Sequence, residues 1–493
     1  MTTPPPTPSR TSADPELIRG LTAIDAFAIV VGGIIGTGIF LKPAVMAQLV
    51  GSPTLLLGAW AAAGLLTLAG ALTYAELGAL LPAAGGEYVF FRTAFGDGAA
   101  FAFGWTRSFT AGGALAAYGV AIATFLAALI PLGGNWVAMT AHPFGLDLHW
   151  QFGARQAVAI GFIAAFAGLN CSGVVAGGRA QTAIMVAKLG AIAIIVVGAL
   201  LWSRDGSWEH LRASTDHAGA AGVGVSAFGA AMLASLWAYN GWSFLPMSAG
   251  ELRDPTRTLP RAIIGGTLMV VVIYLLVNLA FVYALPFSEI QSANSTRYPL
   301  ALPVGTMAAE SFLGPIGARV AAAAFVISTI GALNASTLAL SRIPFAMARD
   351  GLFFEPLGRV SERTRAPVAA IVCFAAWGSI LATLGSFDQL TNLVMFACWI
   401  FYGLGGAALI VLRRTKPDAP RPYRVLGYPV VPALLLVAAA WLVANTVRTN
   451  PGEAWAALGL MALGAPLYWV RRRQRRTRSD RDLVRVDATP TPP

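Results

Sequence analysis

Apolar residues along this chain gather in long runs rather than in short periodic faces. Windows of about 19 residues pick out about twelve such runs. They lie at 24–48, 54–81, 97–130, 153–173, 180–203, 224–251, 260–286, 316–349, 367–385, 388–412, 428–447 and 453–471. A helix needs about 20 apolar residues to cross the hydrocarbon core of a bilayer. The third and eighth runs are longer and predict tilted or extended spans, and 86–95 predicts a short interfacial helix ahead of the third. The pattern predicts an all-α membrane protein of about twelve transmembrane helices.

Composition strengthens that reading. Of 493 residues, 56% are hydrophobic and 12% charged, against roughly 25% charged in an average soluble domain. A soluble chain this apolar could not cover its own surface. The N-terminus is rich in Pro, Thr and Ser, with no apolar core of the kind a cleavable signal carries. The three cysteines, Cys171, Cys373 and Cys398, sit in apolar runs without metal or redox spacing.

A net charge of +11 raises the question of nucleic acid. The placement of the charges answers it. With both termini on one side, that side collects Arg92, Arg179, Arg253, Arg257, Arg261, Arg342, Arg349, Arg413, Arg414, Lys416, Arg421, Arg424 and the tail from Arg471 to Arg485. The other side has Arg155, Arg204, Arg212, Arg297, Arg319 and Arg448. This asymmetry follows the positive-inside rule and predicts cytoplasmic termini. The basic tail then anchors the last helix beside an anionic leaflet. The partner it predicts is a lipid bilayer, not a nucleic acid, and the scarcity of Lys beside Arg points weakly to a GC-rich bacterial genome.

Two runs break helix rules. The first reads Val31-Gly32-Gly33-Ile34-Ile35-Gly36-Thr37-Gly38-Ile39-Phe40, and each helical glycine costs about 1 kcal/mol relative to alanine. The sixth reads Leu236-Trp237-Ala238-Tyr239-Asn240-Gly241-Trp242-Ser243-Phe244-Leu245-Pro246. Interrupted helices at matching places in two halves point to a transporter site built on inverted repeats. A half-helix starting near Thr37 would aim free N–H groups and a positive dipole end at a carboxylate. Half-helices ending near Ile34 and Trp237 would offer carbonyls to an ammonium group. A zwitterionic amino acid carries both. The bland alternative is that these glycines only allow close helix packing.

At these residues the chain resembles the amino acid–polyamine–organocation superfamily, whose first-helix signature is similar to Gly33 to Phe40. Leu236 to Trp242, Gly250-Glu251-Leu252-Arg253-Asp254-Pro255 and Leu259-Pro260 resemble the L-type branch and its bacterial relatives. Tyr74 to Gly78, Gly85-Gly86-Glu87-Tyr88, Gly331 to Asn334 and Arg421-Pro422-Tyr423-Arg424 extend the likeness collinearly over residues 20–470. The resemblance implies a LeuT-type fold of 5+5 inverted repeats plus two helices. It divides the chain into a disordered tail (1–22), a first repeat (23–203), a second repeat (224–412), two further helices (428–471) and a basic tail (472–493).

By the same resemblance, backbone N–H groups at Gly36, Thr37 and Gly38 would meet the substrate carboxylate. Carbonyls near Ile34, Trp237 and Asn240, beside Gly241, would meet its amino group. Trp237 takes the position of an aromatic gate, unless it is an ordinary core or lipid-facing ring. Asn240 stands where an Asp accompanies cationic substrates, so it favours neutral ones. The eukaryotic light subunits carry a cysteine, bonded to a partner glycoprotein, in the loop after their third helix. Residues 131–155 contain none, so no disulfide-linked heavy chain is expected.

Lys188 lies inside an apolar run, where an ammonium must be paired or functional, unless it snorkels to an interface. The resemblance places it where sodium-coupled relatives hold a cation between helices one and eight. It would reach carbonyls of the first break and hydroxyls near Ser328 and Thr329, replacing sodium. Glu76 and Arg107, in neighbouring runs, suggest an ion pair or caps, and Glu251 a gate or cap at the end of the sixth run. His142, His149, His210 and His217 fall in outer loops, and neither a metal site nor a cofactor is expected. A membrane-embedded enzyme would need an intramembrane His, paired carboxylates or a nucleophile constellation, and none is evident. The sequence thus predicts a sodium-independent carrier of neutral amino acids in a bacterial inner membrane. It leaves open exchange, uniport, proton symport, broader specificity and a non-transporting sensor on the same fold.

Overall fold

The computed structural model describes residues 16–141, 148–212, 224–295, 297–298, 301–384, 387–449 and 451–487. Its first half contains α1 (Ala23–Ile34), α2 (Gly38–Val50), α3 (Pro53–Leu80), α4 (Glu87–Phe95), α5 (Asp97–Ala127), strands β1 (Asn135–Ala141) and β2 (Leu148–Gly153), α6 (Ala154–Cys171) and α7 (Val174–Trp202). The second half contains α8 (Val225–Ala238), α9 (Phe244–Met247), α10 (Pro255–Ala284), α11 (Phe287–Ser292), α12 (Val304–Leu313), α13 (Gly317–Leu340), α14 (Arg342–Arg349), α15 (Val368–Leu381) and α16 (Phe387–Thr415). α17 (Val430–Thr449) and α18 (Pro451–Asp487) follow.

Nine stretches among the described residues are helical, long and apolar enough to cross a membrane, counting α1–α2 and α12–α14 as one each. Two shorter apolar helices, α8 and α15, join them. Each apolar run has its helix. The fifth begins at Val174 and the seventh at Pro255, several residues before the hydropathy onset. Polar termini explain the shift: Gly177, Gly178 and Arg179 dilute the start of α7, as Thr256, Arg257 and Thr258 dilute α10.

Local chemistry sets the ends. Thr22 and Asp25 form a capping box at α1, the Asp25 N–H donating to the Thr22 hydroxyl at 3.3 Å and the Thr22 N–H to the Asp25 carboxylate at 2.9 Å. Pro53 and Pro255 open α3 and α10 at the first turn, where no N–H is needed. Within the spans, hydroxyls turn back on their own helix, as Thr67 does to Ala63 and Thr337 to Leu333, both at 2.8 Å. No water is needed to satisfy them.

The broken elements occupy the middle. α1 packs against α7, α10 and α13, and α2 runs along α8. α3 lies along α10, and α5 along α13 and α16. The all-α expectation needs one correction. The loop after α5 folds as an antiparallel hairpin, with Val137 opposite Phe152 and Met139 opposite Trp150. Hydropathy windows of helical length pass over so short a strand pair. His142 and His217 lie outside the described residues, as do positions 1–15 and 488–493 of the two tails. Residues 16–22 run up to α1 and bury Leu21, and α18 stays helical through Asp487.

Candidate functional site

α1 stops at Ile34 and α2 restarts at Gly38, leaving Ile35, Gly36 and Thr37 outside regular helix. α8 stops at Ala238, and a turn through 239–243 leads to α9. The two breaks touch backbone to backbone. Gly241 has φ 128°, and a Cβ there would lie 2.5 Å from the carbonyl oxygen of Gly33. A Cβ on Gly38 would lie 2.6 Å from the Cα of Ala238. These two glycines let the unwound segments cross.

In the first turn of α2 the Phe40 and Leu41 N–H groups donate to the Thr37 carbonyl at 3.1 and 3.3 Å, and the N–H groups ahead of them have no helical carbonyl to reach. Thr37 caps it with backbone only, and its hydroxyl, on a residue 1% exposed, is a buried oxygen without a partner. An uncapped helix start with an orphan hydroxyl, deep in the protein, suits an anionic group. A Cβ on Gly36 would meet only Ala332 at 3.4 Å and Tyr118 at 3.7 Å, ordinary contacts. Trp237 is buried and its ring lies 6.1 Å from that of Tyr118 on α5.

The carbonyl ends are partly satisfied already. The Ile34 carbonyl accepts from the Tyr274 hydroxyl at 3.1 Å, and the Trp237 carbonyl from the Asn240 N–H at 3.1 Å. Each retains a second lone pair. The Asn240 side-chain oxygen accepts from the Tyr402 hydroxyl at 2.7 Å, which also lies 3.2 Å from the Ser243 hydroxyl. Asn240 is therefore held by α16.

Lys188 is fully buried, which removes the snorkelling alternative. Its ammonium donates to the carbonyls of Ile35 at 2.6 Å, Gly32 at 2.9 Å and Ser328 at 3.0 Å. Three donors thus meet three carbonyls from α7's two neighbours in the break, α1 and α13. The Ser328 hydroxyl sits over the same turn, 3.3 Å from the Ile35 carbonyl and 3.2 Å from that of Gly36. The expectation for hydroxyls is corrected here. The ammonium takes the Ser328 carbonyl instead, and the Thr329 hydroxyl bonds back to Phe325 in its own helix at 2.7 Å.

The family described as amino acid permease matches residues 21–465. The chain belongs to the amino acid permease family. The permease is 31% identical over 462 residues to the serine/threonine exchanger SteT of Bacillus subtilis, covering 92% of this chain and 97% of that protein. It is 30% identical over 457 residues to the human large neutral amino acids transporter small subunit 2, covering 92% and 80%. With the human b(0,+)-type amino acid transporter 1 it shares 30% over 467 residues, covering 94% and 88%. These place it in the amino acid–polyamine–organocation superfamily, in the L-type branch with its bacterial relatives. The permease is a multi-pass membrane transporter of amino acids, not an enzyme.

Other charges of the permease sort out differently from expectation. Glu76 does not pair with Arg107. Its carboxylate accepts from Arg413 at 2.9 and 2.6 Å and from the Val425 N–H at 2.6 Å, with Arg421 at 3.3 Å. It therefore anchors the Arg421–Arg424 loop. Glu251, expected as a gate or a cap, forms a buried ion pair with Arg342 at 2.8 Å. Among the described residues no group of three His, Cys, Asp or Glu side chains gathers for a metal ion.

Sequence reasoning missed Tyr274, whose hydroxyl also lies 2.9 Å from the Ala238 carbonyl and so spans both breaks. A signal existed. Tyr274 and Asn278 are polar interruptions one turn apart in an otherwise aliphatic run.

Proposed function

We propose that this permease is a sodium-independent exchanger or permease of neutral L-amino acids, working by alternating access across a bacterial cytoplasmic membrane with both termini inside. Lys188 carries the sodium part of the reading. Its three carbonyl partners form the kind of oxygen cage that suits a monovalent cation, and the tethered ammonium fills it with a charge that never dissociates from the chain. On this reading the fold is the 5+5 inverted repeat. Helices α1 to α7 form one half, α8 to α16 the other, and α17 and α18 are additions that complete twelve spans.

The substrate carboxylate is assigned to the N–H groups of Gly36, Thr37 and Gly38, supported by the orphan Thr37 hydroxyl. The amino group is assigned to the carbonyl ends at Ile34, Trp237 and Asn240. Trp237 would close over it. Among the described residues, no Asp or Glu lies in either break. A second positive charge on the substrate would be held there without a counter-charge, a costly arrangement. The serine/threonine and large-neutral specificities in two relatives' names agree with neutral substrates, and no disulfide-linked heavy chain is required by this scheme.

Uptake of labelled amino acids into proteoliposomes tests it, with and without internal amino acid, with sodium replaced by choline or potassium, and with a pH gradient. Transport of neutral amino acids should persist in choline. A strict sodium requirement would sink the Lys188 assignment, and preferential uptake of arginine would sink the neutral one.

A further inference from the structure

Arg107 and Tyr118 leave the same face of α5, about three helical turns apart. Both are buried, at 2% and 4% exposure. Tyr118 faces Trp237 at the break. Arg107 lies on the α5 N-terminal side of it, toward the end of the bundle where Asp97 meets Arg92 and Arg475.

The Arg107 guanidinium is poorly provided for. Its Nη1 donates to the Cys398 sulfur at 3.0 Å, a weak acceptor. Its Nη2 is buried without a partner. Glu87, 1% exposed, is in the same condition. One carboxylate oxygen accepts from the Tyr74 hydroxyl at 2.9 Å, and the other is buried without a partner. Arg107 and Glu87 share one electrostatic neighbourhood with Tyr74, Tyr402 and Cys398, yet no ion pair closes between them. Between Arg107 and Tyr118 on the same face, the Thr110 hydroxyl is also buried and unpartnered.

A half-satisfied buried charge is expensive, and a ligand that supplies the missing partner recovers the cost. The missing partners here are an anion at Arg107 Nη2 and a cationic N–H donor at Glu87. An α-amino acid carries both on one carbon. We propose that Arg107 and Glu87 form a second zwitterion-binding station, which holds the transported α-amino acid between the central break and the Asp97 end of the bundle. The inference rests on the transport reading above. The station connects to the central site through Tyr402, whose hydroxyl holds Asn240 and whose ring lies 4.8 Å from Trp242. Trp242 in turn stands 4.7 Å from the Tyr74 ring. Packed tyrosine and tryptophan rings thus link the two places.

The test is binding stoichiometry with the purified full chain in nanodiscs, using radiolabelled L-threonine and L-leucine as probes up to tens of millimolar. Wild type should bind two molecules per chain. Arg107→Gln and Glu87→Gln should each bind one, with the remaining dissociation constant changed less than twofold. One molecule per chain in wild type would overturn the station while leaving the central site standing, and would mark the two charges as an ion pair bridged by water. Two per chain in both variants would overturn it as well. Binding of neither probe would overturn the transport reading with it. The wild-type stoichiometry carries the test free of any folding defect of the variants.

Discussion

The Glu251 carboxylate receives the Arg342 guanidinium through two hydrogen bonds, of 2.8 Å from Nε and 3.0 Å from Nη2, and neither side chain has any exposure. The pair joins the end of the sixth apolar run to the start of α14. Next to it, Leu21 is strapped to the same segment: its N–H donates to the Glu251 carbonyl at 3.0 Å and its carbonyl accepts from the Arg253 N–H at 3.1 Å. Three elements are thus closed together at one end of the permease.

Removing one partner of this pair strands a buried charge, which costs about 3–5 kcal/mol. We expect Glu251→Met and Arg342→Met each to lower the melting temperature of the purified protein sharply. The double Met variant should recover most of the loss. Equal melting of single variants and wild type would mean that water reaches the pair.

A Cβ on Gly331 would lie 2.6 Å from the Lys188 nitrogen. The obstacle is the movable end of a side chain, so Gly331→Ala should fold. It should still displace the ammonium from its three carbonyls and reduce uptake at least tenfold, as Lys188→Ala should. Normal uptake by Gly331→Ala would show that the cage is not needed for transport.

Gly241→Ala faces backbone instead. Its Cβ would sit 2.5 Å from the Gly33 carbonyl, at a φ of 128° that L-residues rarely adopt. Gly36→Ala has ordinary contacts. Detergent-solubilised Gly241→Ala should aggregate or melt well below wild type, while Gly36→Ala should stay monodisperse. The prediction fails if both behave alike.

Trp237→Ala should cut turnover severely, because the ring that packs beside Tyr118 would no longer cover the break. Initial rates at saturating substrate give the answer. A rate near wild type would move Trp237 among ordinary core residues.

Asn240→Asp keeps the acceptor for the Tyr402 hydroxyl and adds a negative charge beside the break. Lysine or arginine should then compete for uptake of a neutral substrate. If the variant stays neutral-only at full activity, the side-chain oxygen serves α16 alone.

The helices were legible because a bilayer demands long apolar runs, and the breaks were legible because the glycines clustered within 32–38 and Gly241 weaken a helix. Lys188 was legible for the complementary reason, as a charge where none is tolerated unpaired. Partners were harder to read. Glu76 finds Arg413 more than three hundred residues away, a separation that local spacing cannot express. The choice of the Ser328 carbonyl over its hydroxyl depends on how α13 is rotated. The hairpin of β1 and β2 escaped because its register arises from pairing between two short segments, neither of which has a signal of its own.

Tyr274 stands within hydrogen-bonding reach of both Ile34 and Ala238, the last residues of α1 and α8. A phenol has one proton and can give it to only one of these carbonyls at a time. Swinging the O–H from one to the other breaks one hydrogen bond and makes one, so the exchange is nearly free. Either half-helix end can therefore move away while the phenol keeps the other as its partner. Such a bearing tolerates motion where a fixed bond would resist it, and Tyr274→Phe should stiffen or jam the cycle rather than loosen the fold.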